Sequence, residues 1–178
     1  MKNFFEVVKE RRAIRKFKQK DAPTEQIERI IDSARYAPSA LNQQPWEFIV
    51  VTNPEKKKKV REIYDAARAK LNLYRQDTSF VENATQIFVC ADKEKVQPLL
   101  SSALAIENML LAATALSLGS IVMTAPVSSD ESVKEIRALL NVPEKFGIIA
   151  LVLIGYKDEE PQINEKRALK EILHYEGF

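Results

Sequence analysis

Residues 103–118 read ALAIENMLLAATALSL, the strongest helix signal in the chain. A helix that is apolar nearly all round must be covered on every side. A chain of 178 residues rarely encloses a helix so completely. We therefore expect either a helix that runs through the core of its own chain or, preferably, a helix whose far side is covered by a partner subunit.

Apolar periodicity and turn residues divide the rest of the chain into alternating helices and strands. A first helix runs to about Arg12, and a second begins with Thr24 as its N-cap and ends at Pro38. Strands are expected over residues 46–52, 86–91, 119–124 and 147–155. The last of these, GIIALVLIG, is continuously apolar, which predicts a central strand. The pattern indicates one domain of the α/β or α+β class over residues 1–178.

The counts of a few residue types exclude several kinds of active site. Cys90 is the only cysteine and His174 the only histidine, so one chain cannot build a zinc site with several His or Cys ligands. A Ser-His-Asp or Cys-His arrangement would depend on His174, close to the C-terminal end. The four glycines form neither a GxGxxG nor a Walker loop. If the chain is an enzyme, a cofactor supplies its chemistry, and that cofactor is not held by a glycine-rich phosphate loop.

Positive charge is concentrated at the N-terminal end of a nearly neutral chain. Residues 1–20 contain eight Lys or Arg and two Glu, whereas the whole chain has a formal net charge of +2. A local cluster of this kind suggests a site for one discrete anion more than a track for nucleic acid. A solvated basic face explains the composition equally well, so composition alone leaves both interpretations open.

The sequence gives no signal for export or membrane insertion. The N-terminal MKNFFEVVKERR has no apolar run of signal-peptide length, and no stretch approaches the ~18 apolar residues of a membrane span. A single cysteine excludes an internal disulfide, as is usual in a reducing compartment. We therefore expect a cytoplasmic protein that binds neither membrane nor nucleic acid.

Two segments carry the side chains best suited to hold a ligand. In the first, Arg11–Phe17, a helix gives way to extended chain, so that Arg11 and Arg15 can share a face on either side of the small Ala13. Their planar guanidinium groups suit a phosphate. In the second, residues 37–46, two prolines fix the ends of a loop with three amides and a hydroxyl, which suits the edge of a heterocycle or a polyol. Taken alone, the first is a common basic cluster and the second an ordinary connection.

Together and in this order, the two segments resemble the nitroreductase family. RRAIRKF is followed about twenty residues later by APSALNQQPWEF and a hydrophobic strand. The sequence AIENMLLAA at 105–113 resembles the family's long central helix, and Leu118-Gly119-Ser120 resembles the turn after it. The C-terminal region resembles that of the family at Gly155-Tyr156, Lys166-Arg167 and His174-Tyr175-Glu176. The resemblance thus covers nearly the whole chain.

The resemblance implies an α+β fold, a three-layer α-β-α sandwich around a mixed, mainly antiparallel sheet. Two chains would pack through the central helix as a homodimer, and the C-terminal tail would cross to the partner. Two FMN molecules would lie at the subunit interface, each touched by both chains. FMN is therefore the implied cofactor and NAD(P)H the implied co-substrate.

The resemblance also assigns cofactor contacts to residues of this chain. Arg11 and Arg167 would hold the FMN phosphate, and Arg15 would approach the ribityl chain and the ring. A loop of the second chain would line the flavin's other edge, and backbone near Thr124 would face N5. The implied contacts are Arg11, Arg12, Ala13, Arg15, Pro38, Ser39, Ala40, Asn42, Gln44, Met123, Thr124, Lys166 and Arg167. No catalytic side chain and no metal ligand is assigned, because the flavin carries the chemistry.

Two features depart from the family's usual pattern. Ala13 stands where the family usually has Ser, so one hydroxyl hydrogen bond is lost, although backbone N–H groups could serve. The chain is also short, so the helices that cap the site in longer members are expected to be reduced. An open site of this kind predicts little substrate selectivity.

The implied reaction is ping-pong hydride transfer from NAD(P)H through flavin N5 to a small acceptor such as a nitroaromatic or a quinone. Both substrates need one face of one ring, so they bind in turn, and solvent can protonate the product. Other flavin chemistry on this scaffold stays open, namely reductive dehalogenation and flavin reduction or destruction. A flavin-binding redox sensor with little turnover is a further alternative. The physiological acceptor and the choice between NADH and NADPH have no motif here.

Overall fold

The computed structural model describes residues 3–73, 77–161 and 164–178. These residues include a four-stranded sheet. The strands β1 (Trp46–Val51), β2 (Thr85–Asp92), β3 (Gly119–Met123) and β4 (Phe146–Gly155) lie in the order β1-β2-β4-β3. Every neighbouring pair of these strands is antiparallel. One parallel bridge joins Ala13 to Ser120 beside β3, so the sheet is mixed only at that edge. The position of β4 between β2 and β3 confirms the central strand predicted from its apolar sequence.

Within the described residues, six α-helices flank the sheet. They are α1 (Phe4–Glu10), α2 (Thr24–Ala34), α3 (Pro54–Lys70), α4 (Phe80–Asn83), α5 (Pro98–Ala115) and α6 (Asp130–Leu140). The N-cap of α2 is Pro23, so the prediction of Thr24 at that position was wrong by one residue. The helix also ends at Ala34, before Pro38, because the chain turns at Tyr36 and Ala37 through bonds to the carbonyls of Ser33 and Ala34.

Alternate residues of the central strands face two separate cores, as the period of a strand requires. Ile87 and Val89 of β2 pack with α2 and α5 on one side of the sheet. Phe88 packs with α3, α4 and α6 on the other side. The predicted three-layer α-β-α sandwich is therefore confirmed.

Helix α5 buries only one of its two apolar faces. Ala105 and Met109 are fully buried towards α2 and the sheet, whereas 65% of Leu99, 57% of Leu100 and 39% of Leu104 are exposed. The described residues therefore do not cover this helix on every side. This excludes the first of the two alternatives, a helix enclosed by its own chain, for those residues. Within those residues, α5 is the one helix long and apolar enough to cross a membrane, but a core helix can have the same composition.

The loop between α2 and β1 contains three non-glycine residues in the left-handed region. Leu41 and Asn42 both have φ of 53°, and Gln44 has φ of 45°. Asn tolerates this conformation, but Leu does so at a steric cost. The Leu41 side chain is 82% exposed, so packing within one chain does not offset the strain.

We predict that Leu41→Gly raises the free energy of unfolding by about 0.5–1 kcal/mol, because glycine adopts positive φ without steric strain. Ala40→Gly is the matched control: Ala40 is not among the residues with positive φ, so added chain entropy should lower stability there. Urea unfolding of both variants measures the difference. A loss of stability in Leu41→Gly would mean that its side chain is held by contacts beyond a single chain.

Arg137 of α6 stabilises the turn that leads into β4. Its guanidinium donates hydrogen bonds to the carbonyl oxygens of Val142 (3.0 Å), Pro143 (2.7 Å) and Phe146 (2.9 Å). Its side chain is 16% exposed, and its Nε lies 3.4 Å from Oε1 of Glu144. The start of the central strand thus depends on one planar group with several donors.

We predict that Arg137→Ala lowers the free energy of unfolding by about 2–4 kcal/mol, because three carbonyls lose charge-assisted partners. Arg137→Lys should lose an intermediate amount, since an ammonium group cannot reproduce the planar arrangement. Lys59→Ala, which removes an exposed ion pair with Glu62, should change stability by less than about 1 kcal/mol. Equal effects of Arg137→Ala and Lys59→Ala in urea unfolding would refute the assignment.

Candidate functional site

The basic segment 11–17 is fixed as extended chain along the edge of β3. The N–H of Ile14 donates to the carbonyl of Ser120 at 3.0 Å, and Phe17 forms an antiparallel bridge with Lys157. The side chains of Ile14 and Phe17 are buried in the core, so Ala13 and Arg15 remain exposed. Close packing requires Gly119, because a Cβ there would lie 2.9 Å from Cγ1 of Ile14.

The two adjacent arginines at the end of α1 have different surroundings. Arg11 Nε lies 3.4 Å from Oε1 of Glu107 on α5. Arg12 instead turns back, and its Nη1 donates to the carbonyl oxygens of Lys9 (2.5 Å) and Arg11 (2.8 Å). Arg12 therefore satisfies the carbonyls at the C-terminal end of α1, as basic residues often do. Of the two, Arg11 has the guanidinium group more available to an anion.

The same segment forms one wall of a cavity of about 430 Å³. Its lining residues are Arg12, Ala13, Arg15, Lys16, Glu159, Glu160, Pro161 and Asn164. Oε1 of Glu159 accepts hydrogen bonds from the backbone N–H groups of Arg15 and Lys16. The volume lies within the range of small-molecule sites. The cationic side chains suit an anion, and the Glu159 carboxylate already occupies the backbone donors of Arg15 and Lys16.

The polar loop 38–45 lies at another place, near the N-terminal end of α5. Ser39 Oγ accepts a hydrogen bond from the N–H of Gln44 at 3.0 Å, which closes the loop on itself. Gln43 Oε1 accepts one from the N–H of Val96 at 2.9 Å, just before α5 begins. Asn42 and Gln44 are exposed. The loop therefore presents polar groups on a strained but internally bonded frame.

A single chain does not bring the two predicted segments together. The loop is bonded next to the start of α5 at Pro98, whereas Arg11 contacts Glu107, nine residues further along the helix. Nine residues of α-helix span about 14 Å. Any ligand that touches both segments of the same chain would have to reach across this distance.

Two further pairs of predicted contact residues lie apart from the cavity wall. Met123 ends β3 with its side chain in the core, and Thr124 follows it on the surface. Lys166 and Arg167 lie in the exposed C-terminal tail. Nη2 of Arg167 donates to the carbonyl of Glu171 at 2.8 Å, and Nε lies 3.6 Å from Oε2 of that residue. Arg167 is therefore engaged within the tail itself.

The tail and the first helix add to the uncovered apolar surface. In the tail, Leu169 is 67% and Ile172 is 52% exposed. On α1, Phe4 and Phe5 are exposed by 63% and 73%. Exposed apolar area of this extent, together with the free face of α5, is typical of an association surface.

A groove of about 560 Å³ lies between α2 and the start of β1. Ile31, Trp46 and Phe48 form its apolar part. Glu28 and an ion pair between Asp32 and Arg35 form its polar rim. Strand β1 lies at the edge of the four-stranded sheet, so it has an unpaired side. Exposed strand edges of this kind are usually covered in native proteins.

The lone cysteine is not a nucleophile in this arrangement. Burial within β2 raises the pKa of the Cys90 thiol to about 11. A thiol of that pKa is almost entirely protonated at neutral pH and therefore unreactive. The sole histidine, His174, stacks on Phe178 in the exposed tail with ring centroids 4.2 Å apart.

Three features of the site were not predicted from the sequence. Glu107 is the only charged residue of α5, and a single charge in a mainly apolar helix is the sequence signal that could have identified it. Glu159 lies 144 residues from Arg15, and nothing local indicates their contact. The groove beside Trp46 also depends on tertiary packing alone.

Comparison with known proteins fits this fold and this order of segments. The model of the nitroreductase family matches residues 8–156. A candidate NADH dehydrogenase/NAD(P)H nitroreductase of Methanothermobacter thermautotrophicus is 34% identical over 161 residues, which is 88% of this chain and 78% of that protein. An iodotyrosine deiodinase of Thermotoga neapolitana is 26% identical over 89% of this chain and 91% of its own length.

A solved structure gives the same result. The FMN-dependent nitroreductase of Clostridium difficile R20291 superposes with a TM-score of 0.80 at 31% identity, covering 97% of this chain and 98% of that one. The match of the family model extends from α1 to the end of β4, and so includes the basic segment, the polar loop and the whole sheet. The chain therefore belongs to the nitroreductase family.

Proposed function

We propose that this protein is an FMN-dependent oxidoreductase that transfers hydride from NAD(P)H to a small acceptor, such as a nitroaromatic or a quinone. The observation that carries the proposal is the cavity beside β3, whose wall is the basic segment of a nitroreductase-family chain. Relatives are named for FMN and for NAD(P)H. The proposal extends to the whole chain, 1–178, acting as one domain in the cytoplasm.

The donor groups of the site fit a flavin mononucleotide. Arg11 offers a guanidinium group to the phosphate, and Arg15 and Lys16 line a cavity large enough for part of a small ligand. Arg167 would join Arg11 once the tail is ordered around the ligand, with Lys166 near it. Arg12 would add charge rather than contacts, because its Nη1 is already bonded to backbone carbonyls.

A second copy of the chain would complete the site. If two copies of α5 pack antiparallel through their free faces, the loop of one chain approaches the Arg11 segment of the other. Within one chain, the loop and the Arg11 segment lie about 14 Å apart along α5. The site would therefore take one of these segments from each chain. In that arrangement, the partner supplies Pro38, Ser39, Ala40, Asn42 and Gln44, and backbone at Met123 and Thr124 faces N5 of the ring.

The tail beyond Arg167 would cross to the partner's groove between α2 and β1. Its exposed Leu169 and Ile172 match the apolar part of that groove, and Lys170 matches Glu28 at its rim. The crossing would cover the free edge of β1.

FMN, when bound, would accept a hydride from NAD(P)H and deliver it to the acceptor. The chain's own residues would hold and orient it: cations fix the phosphate, and the partner's loop limits the ring's movement. The proposal assigns no obligatory acid or base to the chain: His174 lies in the tail, Cys90 is buried with a raised pKa, and Glu159 at the cavity is bonded to the N–H groups of Arg15 and Lys16. Solvent would then protonate the product.

Reductive dehalogenation is a second candidate, because an iodotyrosine deiodinase is similar over most of this chain. Release of iodide from 3-iodotyrosine under reducing conditions would distinguish it from nitro or quinone reduction. A redox sensor with little turnover would instead keep its flavin and oxidise NAD(P)H slowly with every acceptor.

The first prediction of the proposed function concerns the cofactor and its kinetics. Freshly purified protein should be yellow and release FMN on boiling, and initial rates with NADH or NADPH and a quinone should give parallel double-reciprocal lines. Parallel lines follow because donor and acceptor need the same face of the ring and bind in turn. A colourless protein that also fails to take up added FMN would refute the proposed function. Intersecting lines would refute the ping-pong order of binding.

The second prediction concerns the phosphate contacts. Arg11→Ala and Arg167→Ala should each lower FMN affinity by about tenfold or more, because each removes charge-assisted bonds to the phosphate. Lys59→Ala, an exposed cation on α3, serves as a control that should keep the full flavin content. Flavin absorbance after dialysis measures the effect. A full complement of FMN in either arginine variant would show that the phosphate assignment is wrong.

The third prediction concerns the association of two chains. Size-exclusion chromatography with light scattering should give a dimer, with an interface above roughly 2,000 Å² as in obligate dimers. Leu104→Glu should dissociate it by placing a charge on the free face of α5. Leu71→Glu, at a partly exposed position after α3, should leave it intact. A monomeric wild-type protein would refute both the interface and the shared site.

A further inference from the structure

Glu107 stands out because it is the single charged residue of a mainly apolar helix. Helix α5 contains no other Asp, Glu, Lys or Arg, and Glu107 lies on its exposed side with Leu104 and Ala103. Under the proposed dimer, this side faces a second chain. A carboxylate brought into such surroundings is strongly destabilising unless it is paired. Its partner in the structure is Arg11, with Nε at 3.4 Å.

The contact engages Arg11 on one side only. Nε faces Glu107, while the terminal Nη1 and Nη2 have no hydrogen-bond partner among residues 3–73, 77–161 and 164–178. The N–H of Arg11 also caps α1 through the carbonyl of Val7 at 3.0 Å. Nε thus lies within ion-pair distance of Glu107, and the described residues give the two terminal nitrogens no hydrogen bond. Arg12, one residue on, has its own Nη1 bonded to backbone.

We propose that Glu107 is a positioning residue for the phosphate of the bound flavin nucleotide. It holds the guanidinium of Arg11 by Nε, so that the two terminal nitrogens face the phosphate as a planar pair. The inference rests on the proposed function, since it needs Arg11 as a phosphate ligand. It adds that α5, through one carboxylate, sets the specificity for a phosphorylated flavin over an unphosphorylated one.

Two physical effects of Glu107 have opposite signs. A preset arginine loses less side-chain entropy when it binds, which favours the phosphate. A carboxylate near a phosphate also repels it, which disfavours binding. Glu107→Gln keeps the size of the side chain and removes its charge. The direction of its effect on affinity therefore decides which of the two dominates.

The experiment compares apoprotein affinities for FMN and for riboflavin, which lacks the phosphate, by quenching of flavin fluorescence. For Glu107→Gln, we expect the FMN affinity to fall about tenfold, the order of coupling between contacting residues, with the riboflavin affinity unchanged. In an Arg11→Ala background, Glu107→Gln should have no further effect on the ratio. Glu131→Gln removes a carboxylate that pairs with Lys70 between α6 and α3, and it should leave both affinities unchanged.

The outcomes separate this inference from the proposed function. If the wild-type apoprotein does not prefer FMN to riboflavin, the phosphate site itself is wrong. If the wild type prefers FMN and Glu107→Gln keeps or strengthens that preference, only the positioning role is refuted. If both affinities fall together and light scattering shows a monomer, Glu107 serves the interface instead and the inference is overturned. Glu107→Asp, with a shorter carboxylate, should restore part of the preference if the charge is what holds Arg11.

Discussion

The apolar content of α5 is the constraint on which the rest of the structure depends. One face of the helix packs on α2 and the sheet and is fully buried at Ala105 and Met109. The other face leaves Leu99 and Leu100 more than half exposed. Burial of apolar area stabilises at about 25 cal/mol per Å², so this free face favours association. Under the proposed dimer, its position would also set where the second chain reaches the site.

Features set by local periodicity could be predicted from the sequence. The uninterrupted apolar run GIIALVLIG gave β4 its interior place, because a strand covered on both faces needs apolar residues at every position. The starts of α6 and α3, at the N-cap Ser129 and at Pro54, use residue types that favour helix beginnings, so these starts were predictable from the sequence. The end of α2 was not, since bonds at Tyr36 and Ala37 close that helix before Pro38. Pro38 limits a helix but does not by itself end it.

The candidate site was predictable as a set of residue types but not as an arrangement. Arg11 and Arg12 are equivalent in the sequence, and only packing separates them: α5 brings Glu107 to Arg11, while Arg12 folds onto the end of α1. The contact of Glu159 with the N–H groups of Arg15 and Lys16 joins positions far apart in the chain. Such contacts follow no periodicity in the sequence, so no sequence pattern could predict them.

The separation of the polar loop from the basic segment has a thermodynamic consequence. If the flavin touches the basic segment of one chain and the loop of the other, it binds the dimer and not the separate chains. Any ligand that binds only one state stabilises that state by mass action. Flavin binding and dimerisation would then be linked reciprocally, each raising the affinity of the other. The strained, exposed Leu41 fits this view, because a loop completed by a partner and a ligand need not reach its lowest energy within one chain.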